Sequence, residues 1–389
     1  MARLMQSDEI FPHMVDIRRA IHRHPELAFE EVQTAQTIIA ELERLGIPYE
    51  YGGKGSGVVG RIQKGEQYPT VGLRAEMDAL PAQESTGLPF ASEIDGRMHA
   101  CGHDAHTAMV LGAAALLAEQ PPDGNAVFVF QPAEERGGGS RVVINSGLID
   151  DLDAIFAGHV TRKYLVGEIM VGDGVITAQS DKFAIEVKGQ GGHGARPHEG
   201  IDAVTIAGGI INAVQTMVSR ELNPVHPSVI TIGRVVAGSA PNVIAERATL
   251  EGSIRTTSPP IREHIHKGLR RMANAFSELH GAKISVDIVG GYPQVVNTKR
   301  EADIARRAVR TVVGPEHLHD MEHPSMGSED FSFFLQKFPG AYVRLGARSE
   351  GEDHIPLHSP SFTINEEVLK VGAAFYDEVV REAIFELSN

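Results

Sequence analysis

The chain has 389 residues, 36 of them basic and 51 acidic, and its formal charge of −15 sets it against binding a phosphate backbone. Hydrophobic residues at 42% and charged residues at 22% are ordinary for a soluble globular protein, and the length asks for two domains. The single cysteine excludes an intramolecular disulfide framework; with no signal-peptide core near the N-terminus and no apolar run long enough for a bilayer, the expectation is a cytoplasmic protein with no membrane partner.

In chain order, Asp8 to Leu45 reads as helical, with apolar residues recurring at helical spacing, a break at His24-Pro25 and a close at Gly46 and Pro48. Gly57–Ile62 and Thr70–Ala75 read as strands. A helix from about Ala105 to Glu119 follows the cysteine. Ala126–Phe130 is an unbroken apolar run of the kind a sheet buries on both faces, and Ala154–Ala157 is a short strand ending at Gly158-His159. From Asp181 the pattern changes. Lys182–Lys188 alternates as a half-buried strand, Asp202–Val218 is a helix, Ser228–Val236 and Ala248–Ile254 are strands, Ile261–Leu279 is a helix and Lys283–Val289 a last strand. That β-α-β-β-α-β order is the ferredoxin-like unit. Ala341–Leu345 is a strand, and Glu366 to about Leu387 a long amphipathic helix. The expected fold is therefore α/β in two domains: a larger mixed-sheet domain formed by 1–180 and 290–389, with the ferredoxin-like domain of 181–289 inserted into it.

The chemistry concentrates in Met98-His99-Ala100-Cys101-Gly102-His103-Asp104-Ala105-His106, which places the only cysteine two residues from His103 at a helix entry. Thiolate, imidazole and carboxylate together suit a divalent transition metal. Glu134-Glu135 directly follows an apolar strand, so that one carboxylate can face a metal and the other its water. His159 after a predicted strand and His358 in Leu357-His358-Ser359-Pro360 gain weight only in the company of the others. Strand ends are where open α/β sheets hold ligands. Gly191-Gly192-His193-Gly194 is a loop able to reach a cleft, and His193 in it could donate to a developing oxyanion. In Met326-Gly327-Ser328-Glu329-Asp330-Phe331, Ser328 is the expected helix N-cap, and the loop is also expected to contact substrate. A Cys101 nucleophile paired with histidine would need an activating base and an oxyanion hole, neither of which the sequence marks. A metal- or peptide-binding module without catalysis would leave Glu134 without a role.

Taken together these residues resemble the amidohydrolase branch of the aminoacylase/carboxypeptidase family of two-metal metallopeptidases, which includes hippurate hydrolases, N-acyl-amino-acid amidohydrolases and indoleacetyl-amino-acid hydrolases. The resemblance runs from Ile21-His22-Arg23-His24-Pro25-Glu26-Leu27, with Glu30-Glu31 and Thr34, through Arg74–Pro81, the cysteine motif, Phe130–Glu135, Gly192–His198 and Pro241–Ile244. It continues through Gly327–Phe331 and ends at Leu357–Pro360. It implies that Cys101, His103, Glu135, His159 and His358 ligate two divalent ions (zinc, manganese, nickel or cobalt), that Glu134 is the general base and that Asp78 orients a ligand. It further implies that His193 stabilises the transition state, in trans across a dimer, and that Asn242 and Arg255 hold the substrate. The branch usually carries Asp where Glu76 stands.

The activity so implied is hydrolysis of the amide bond of N-acyl-L-amino acids by metal-activated water, giving a carboxylic acid and a free amino acid. A carboxypeptidase or dipeptidase with the same centre, or an N-acetyldiaminopimelate deacetylase, is the alternative. The expected partners are a small N-acyl amino acid or short peptide as substrate and a second copy of the chain. That copy would pair through the inserted domain, by a sheet edge or the apolar face of the Val204–Val218 helix. Nucleic acid and membrane are not expected.

Overall fold

A computed structural model of the chain describes residues 2–389. The helical N-terminal pattern forms α1 (Ala2–Arg23) and α2 (Val32–Arg44), separated where His24-Pro25 cannot continue a helix. Strands β1 (Tyr49–Tyr51), β2 (Val58–Ile62) and β3 (Thr70–Glu76) follow, then α3 (His103–Glu119), β4 (Asn125–Gln131), α4 (Gly139–Asn145), β5 (Ala154–Leu165), β6 (Ile169–Val171) and β7 (Gly174–Val175). Next come β8 (Gln179–Lys188), β9 (Gly192–His193), α5 (Ala203–Glu221), β10 (Ser228–Ala237), β11 (Val243–Ile244), β12 (Arg247–Thr256), α6 (Pro259–His280) and β13 (Lys283–Gly290). The chain ends in β14 (Val296–Asn297), α7 (Lys299–Val312), β15 (Leu318–Asp320), α8 (Phe331–Leu335), β16 (Gly340–Arg348) and α9 (Val368–Leu387).

Two units result. The first comprises Met1–Ile176, Val296–His323 and Asp330–Asn389; the second comprises Thr177–Val295 and Pro324–Glu329. The 324–329 segment belongs to the second unit although it falls within the 290–389 stretch expected in the larger domain; nothing in its composition sets it apart.

The first unit is built on an eight-stranded mixed sheet in the order β1-β2-β4-β3-β5-β16-β6-β15, whose central strands β4, β3, β5 and β16 run parallel. β3 and β4 are buried along their whole length, as parallel strands covered on both faces must be. Helix α3, apolar nearly all round, is buried from His103 to Leu117 except at Ala115, and packs with α1 and α9. Because β3, β4, β5 and β16 share one direction, their carboxyl ends gather on one edge of the sheet, and that edge carries the chemistry.

The second unit is a four-stranded antiparallel sheet in the order β10-β12-β8-β13, the ferredoxin-like arrangement expected from the element order. Along β8, Phe183, Ile185 and Val187 alternate inward and meet Ile206, Ile210, Val214 and Met217 of α5 with Ile265 and Leu269 of α6. Asp202 caps α5 by accepting from the Val204 amide at 3.0 Å. α6 starts on Pro259-Pro260 and stops at the left-handed Gly281. The apolar face of the Val204–Val218 helix is consumed by this core, which leaves Val204 exposed but not the stripe expected to dock a second copy. Among the described residues no helix is long and apolar enough to cross a membrane.

Candidate active site

Gly102 turns the chain from the cysteine motif into α3. Its φ of 89° is left-handed, and a Cβ there would stand 2.5 Å from Val160 Cγ2, so only glycine fits. Cys101 and His103 flank it and are both buried. His103 places its Nδ1 2.8 Å from the main-chain oxygen of Asp78, which makes that nitrogen the donor; Nε2 is buried and has no hydrogen-bond partner. His159 likewise donates from Nδ1, to the Val160 carbonyl at 2.7 Å, and its Nε2 lies 3.2 Å from Cys101 Sγ. Both rings are thus held in the tautomer that leaves Nε2 as an electron-pair donor.

The Glu134-Glu135 pair follows β4 through a turn at Ala133, whose φ is 53°. Asp78, just past β3, fixes the pair by accepting the Glu134 amide on one oxygen and the Glu135 amide on the other, each at 3.0 Å. The Asp330 amide reaches Glu134 Oε1 at 3.4 Å. The loop after β16 brings in His358, whose amide donates to the Ala100 carbonyl at 2.9 Å and whose Nε2 lies 3.2 Å from Glu135 Oε1. The ligand atoms form three overlapping groups, each within 4.8 Å: Cys101, His103 and His159; Cys101, Glu135 and His358; His103, Glu134 and Glu135.

His159 does not end a strand, as expected, but lies inside one. β5 runs on to Leu165 because β16 continues to pair with it, His159 opposite Arg344 and Val160 opposite Leu345. Its level in the sheet is still the right one: Arg74 stands opposite Ala157, so β3 ends near the level that His159 occupies. Ser328 does not cap α8, whose N-cap position is Asp330. The Ser328 hydroxyl instead accepts from the Arg255 guanidinium, with both residues in the second unit. Burial lowers the pKa of Arg255 from its ordinary value. In the same unit the structure brings His193 and Asn242 together: His193 pairs with Val243 across β9 and β11, and the Gly194 amide donates to the Asn242 carbonyl at 2.8 Å. His193 is exposed, and its Nδ1 accepts from the Ala195 amide at 3.0 Å.

Sequence reasoning missed the frame around the site. Glu76 is buried between Arg74 and His106, and its Oε2 accepts from His106 Nδ1 at 2.8 Å. Burial would raise its carboxyl, but Arg74 and His106 outweigh that and hold it well below the usual carboxylate range. Since His106 Nε2 accepts the Val160 amide at 3.0 Å, both its nitrogens are in use and it is no ligand. Asp330 takes Arg74 at 2.7 Å, Gln131 at 2.8 Å and the Ser140 amide at 3.1 Å.

The electrostatics ask for a cation. Burial and the nearby carboxylates of Glu135 and Glu134 push the Cys101 thiol well up. Burial pulls His103 down, but Asp78 and Glu76 overcome it and lift the ring to about 10. Burial together with His106 presses His159 well down. A thiol surrounded by carboxylates is the opposite of an activated nucleophile, which needs an electropositive setting. A cation coordinated by the Nε2 atoms of His103 and His159, the sulfur and Glu135 would instead find buried donor atoms within 4.8 Å of one another in overlapping groups, so the donor set fits a divalent transition metal.

Fold and site define a metal-dependent hydrolase of amide or peptide bonds. Residues 72–382 match peptidase family M20/M25/M40. The chain is similar to IAA-amino acid hydrolase ILR1-like 4 of Arabidopsis thaliana, with 37% identity over 99% of this chain and 88% of that one. It is also similar to thermostable carboxypeptidase 1 of Saccharolobus solfataricus, with 39% identity over 94% of each. N-acetylcysteine deacetylase of Bacillus subtilis is 37% identical over 94% of this chain and 95% of its own. A solved dinuclear metal binding peptidase of the M20 family, also from Bacillus subtilis, superposes with a TM-score of 0.85 at 34% identity, over 98% of this chain and 99% of that one. The chain belongs to peptidase family M20/M25/M40 and is an enzyme of its amidohydrolase and metallopeptidase type.

Proposed function

We propose that this enzyme hydrolyses the amide bond of N-acyl-L-amino acids, using two divalent ions held by Cys101, His103, Glu135, His159 and His358. The observation that carries the reading is the convergence of these donors, two of them histidines whose tautomer is fixed with Nε2 toward the site, beside a second carboxylate, Glu134. Relatives named for hydrolysis of indoleacetyl and N-acetyl amino acids, and a structural neighbour named as dinuclear, support it. Bound there, the ions would polarise the scissile carbonyl and make water acidic enough to lose a proton near neutral pH. Which of zinc, manganese, nickel or cobalt serves depends on availability as much as on these donors.

Glu134 takes the proton from the attacking water and delivers it to the leaving amine. Asp78, bonded to both amides of the pair, keeps Glu134 and Glu135 in their separate duties. His193 stabilises the oxyanion, and Asn242 and Arg255 hold the substrate, Arg255 pairing with its α-carboxylate. The second unit pairs with its own copy, and β10 supports this: it is an edge strand with Val229, Val235 and Val236 exposed. His193 then acts from the partner subunit. A reducing cytoplasmic compartment suits a lone buried thiol. The carboxypeptidase reading has specific support in two relatives of that name, and differs only in the acyl side of the scissile bond.

The test is a panel of N-acetyl amino acids, hippurate and dipeptides, offered to chelator-treated enzyme with and without each metal. Metal-restored cleavage of acyl amino acids is expected. In the same assay Glu134→Ala should bind metal normally and lose about 100-fold or more in kcat, the scale of a lost general base. Activity indifferent to metal, or an active Glu134→Ala, would refute the reading, and a monomer in light scattering would refute the role of His193 in trans.

A further inference from the structure

Glu31 stands at the N-terminus of α2, yet it does not cap that helix. Glu26 does so, accepting the Gln33 amide at 3.0 Å and the Thr34 amide at 2.9 Å. Glu31 is 3% exposed and turns the other way, so that its Oε1 accepts the Ala133 amide at 2.8 Å while Oε2 is buried with no hydrogen-bond partner. Burial lifts its carboxyl to about 7. A buried acid with one oxygen left without a partner is a feature a fold does not keep without cause, and no step of the reaction uses it.

Its partner gives the cause. Ala133 adopts a left-handed φ of 53°, a region residues with a Cβ seldom occupy unless the surroundings enforce it. Three successive amides leave this turn, and two carboxylates receive them: Glu31 takes Ala133, and Asp78 takes Glu134 and Glu135. On its other side, the Ala133 carbonyl accepts the Gly139 amide at 3.1 Å. That approach is possible because Gly139 has no Cβ, which would lie 1.7 Å from Pro132 O. The backbone segments that carry the two carboxylates are joined: Leu27 bridges to Ala79, and the Ala79 amide donates to the Glu26 carbonyl at 2.8 Å.

We propose that Glu31 is a positioning residue for the Glu134-Glu135 turn, holding Ala133 left-handed through its amide so that the two acids emerge aimed at the site. The proposal rests on the roles given above to Glu134 and Glu135.

Three variants test it. Glu31→Gln keeps an acceptor oxygen in place, Glu31→Asp withdraws it by one methylene, and Glu31→Ala removes it. The Gln variant should retain kcat near wild type. The Ala and Asp variants should lose about 10–100-fold in kcat with KM unchanged, the scale of a lost outer-shell partner. In both, amide hydrogen exchange of 131–136 should rise while exchange of α9 stays as in wild type. Wild-type kcat and exchange in Ala or Asp would overturn the proposal, and so would a Gln variant as impaired as Ala. If Ala fails to fold by circular dichroism, the Asp variant carries the test. Exchange is read without substrate or metal, so a failure of the base role, seen as an active Glu134→Ala, is distinguishable from a failure here.

Discussion

His106 donates its Nδ1–H to the buried Glu76 carboxylate at 2.8 Å and accepts the Val160 amide on Nε2 at 3.0 Å. One histidine thereby connects the end of β3 to the middle of β5, next to His159, whose ring meets its own edge-on at a centroid distance of 4.6 Å. The Glu76 carboxylate spans Arg74 and His106 at once, so it is built into the frame of the site.

Replacing His106 by Ala leaves the Val160 amide without its partner and Glu76 with one fewer. Each such buried group costs about 1–3 kcal/mol, so urea unfolding should show a loss of about 2–4 kcal/mol. With β5 no longer pinned beside His159, metal affinity measured by calorimetry on chelator-treated enzyme should fall by about 10–100-fold. An unchanged midpoint and affinity would show that His106 only fills space.

Cys101 separates the metal reading from the thiol-nucleophile reading. It is buried, its thiol is pushed up by burial and by Glu135 and Glu134, and the histidine that contacts its sulfur, His159, presents Nε2 at 3.2 Å. Cys101→Ala should lower the metal content of the purified enzyme and reduce kcat by about 100-fold or more, beyond the range for an outer-shell partner. Excess metal should recover part of the loss. Full metal content with no activity would instead favour a thiol nucleophile.

Local sequence carried the parts of the site that local sequence builds. Cys101 and His103 sit two residues apart at a helix entry, and Glu134-Glu135 directly follows a buried strand. The sequence puts His159 at the right depth but on the wrong kind of backbone, because β5 is prolonged by pairing with β16, about 185 residues later in the chain. Ser328 was read as a cap because serine before two acids at a helix start is the usual signature; a guanidinium at position 255 claims its hydroxyl instead. Glu31 and Ala133, 102 residues apart, show no spacing that could link them. Long-range hydrogen bonds of this kind are fixed by topology, which periodicity does not encode.

His22 makes stability depend on pH at a residue that is not a metal donor. Its Nδ1 lies 2.8 Å from Asp104 Oδ2, its Nε2 3.3 Å from Glu84, and Arg18 shares the Asp104 oxygen at 2.9 Å. The ring of His99 stands 6.2 Å away and is pressed down to about 3 by burial, so it adds no charge. Burial pulls His22 down, but Asp104 and Glu84 outweigh it and lift the ring from 6.5 to about 9. A group whose folded pKa lies above its unfolded value stabilises fully below the unfolded value and loses that contribution as pH rises through the folded one. The interval corresponds to about 3 kcal/mol, present at pH 6 and gone above pH 9. Urea unfolding from pH 6 to 9.5 should therefore show wild type falling more steeply than His22→Gln, which carries no ring to titrate. Taking the difference between the two removes the contribution of titrating groups that do not interact with His22. Parallel profiles would mean that His22 is neutral in the folded protein and that Asp104 is satisfied by Arg18 alone.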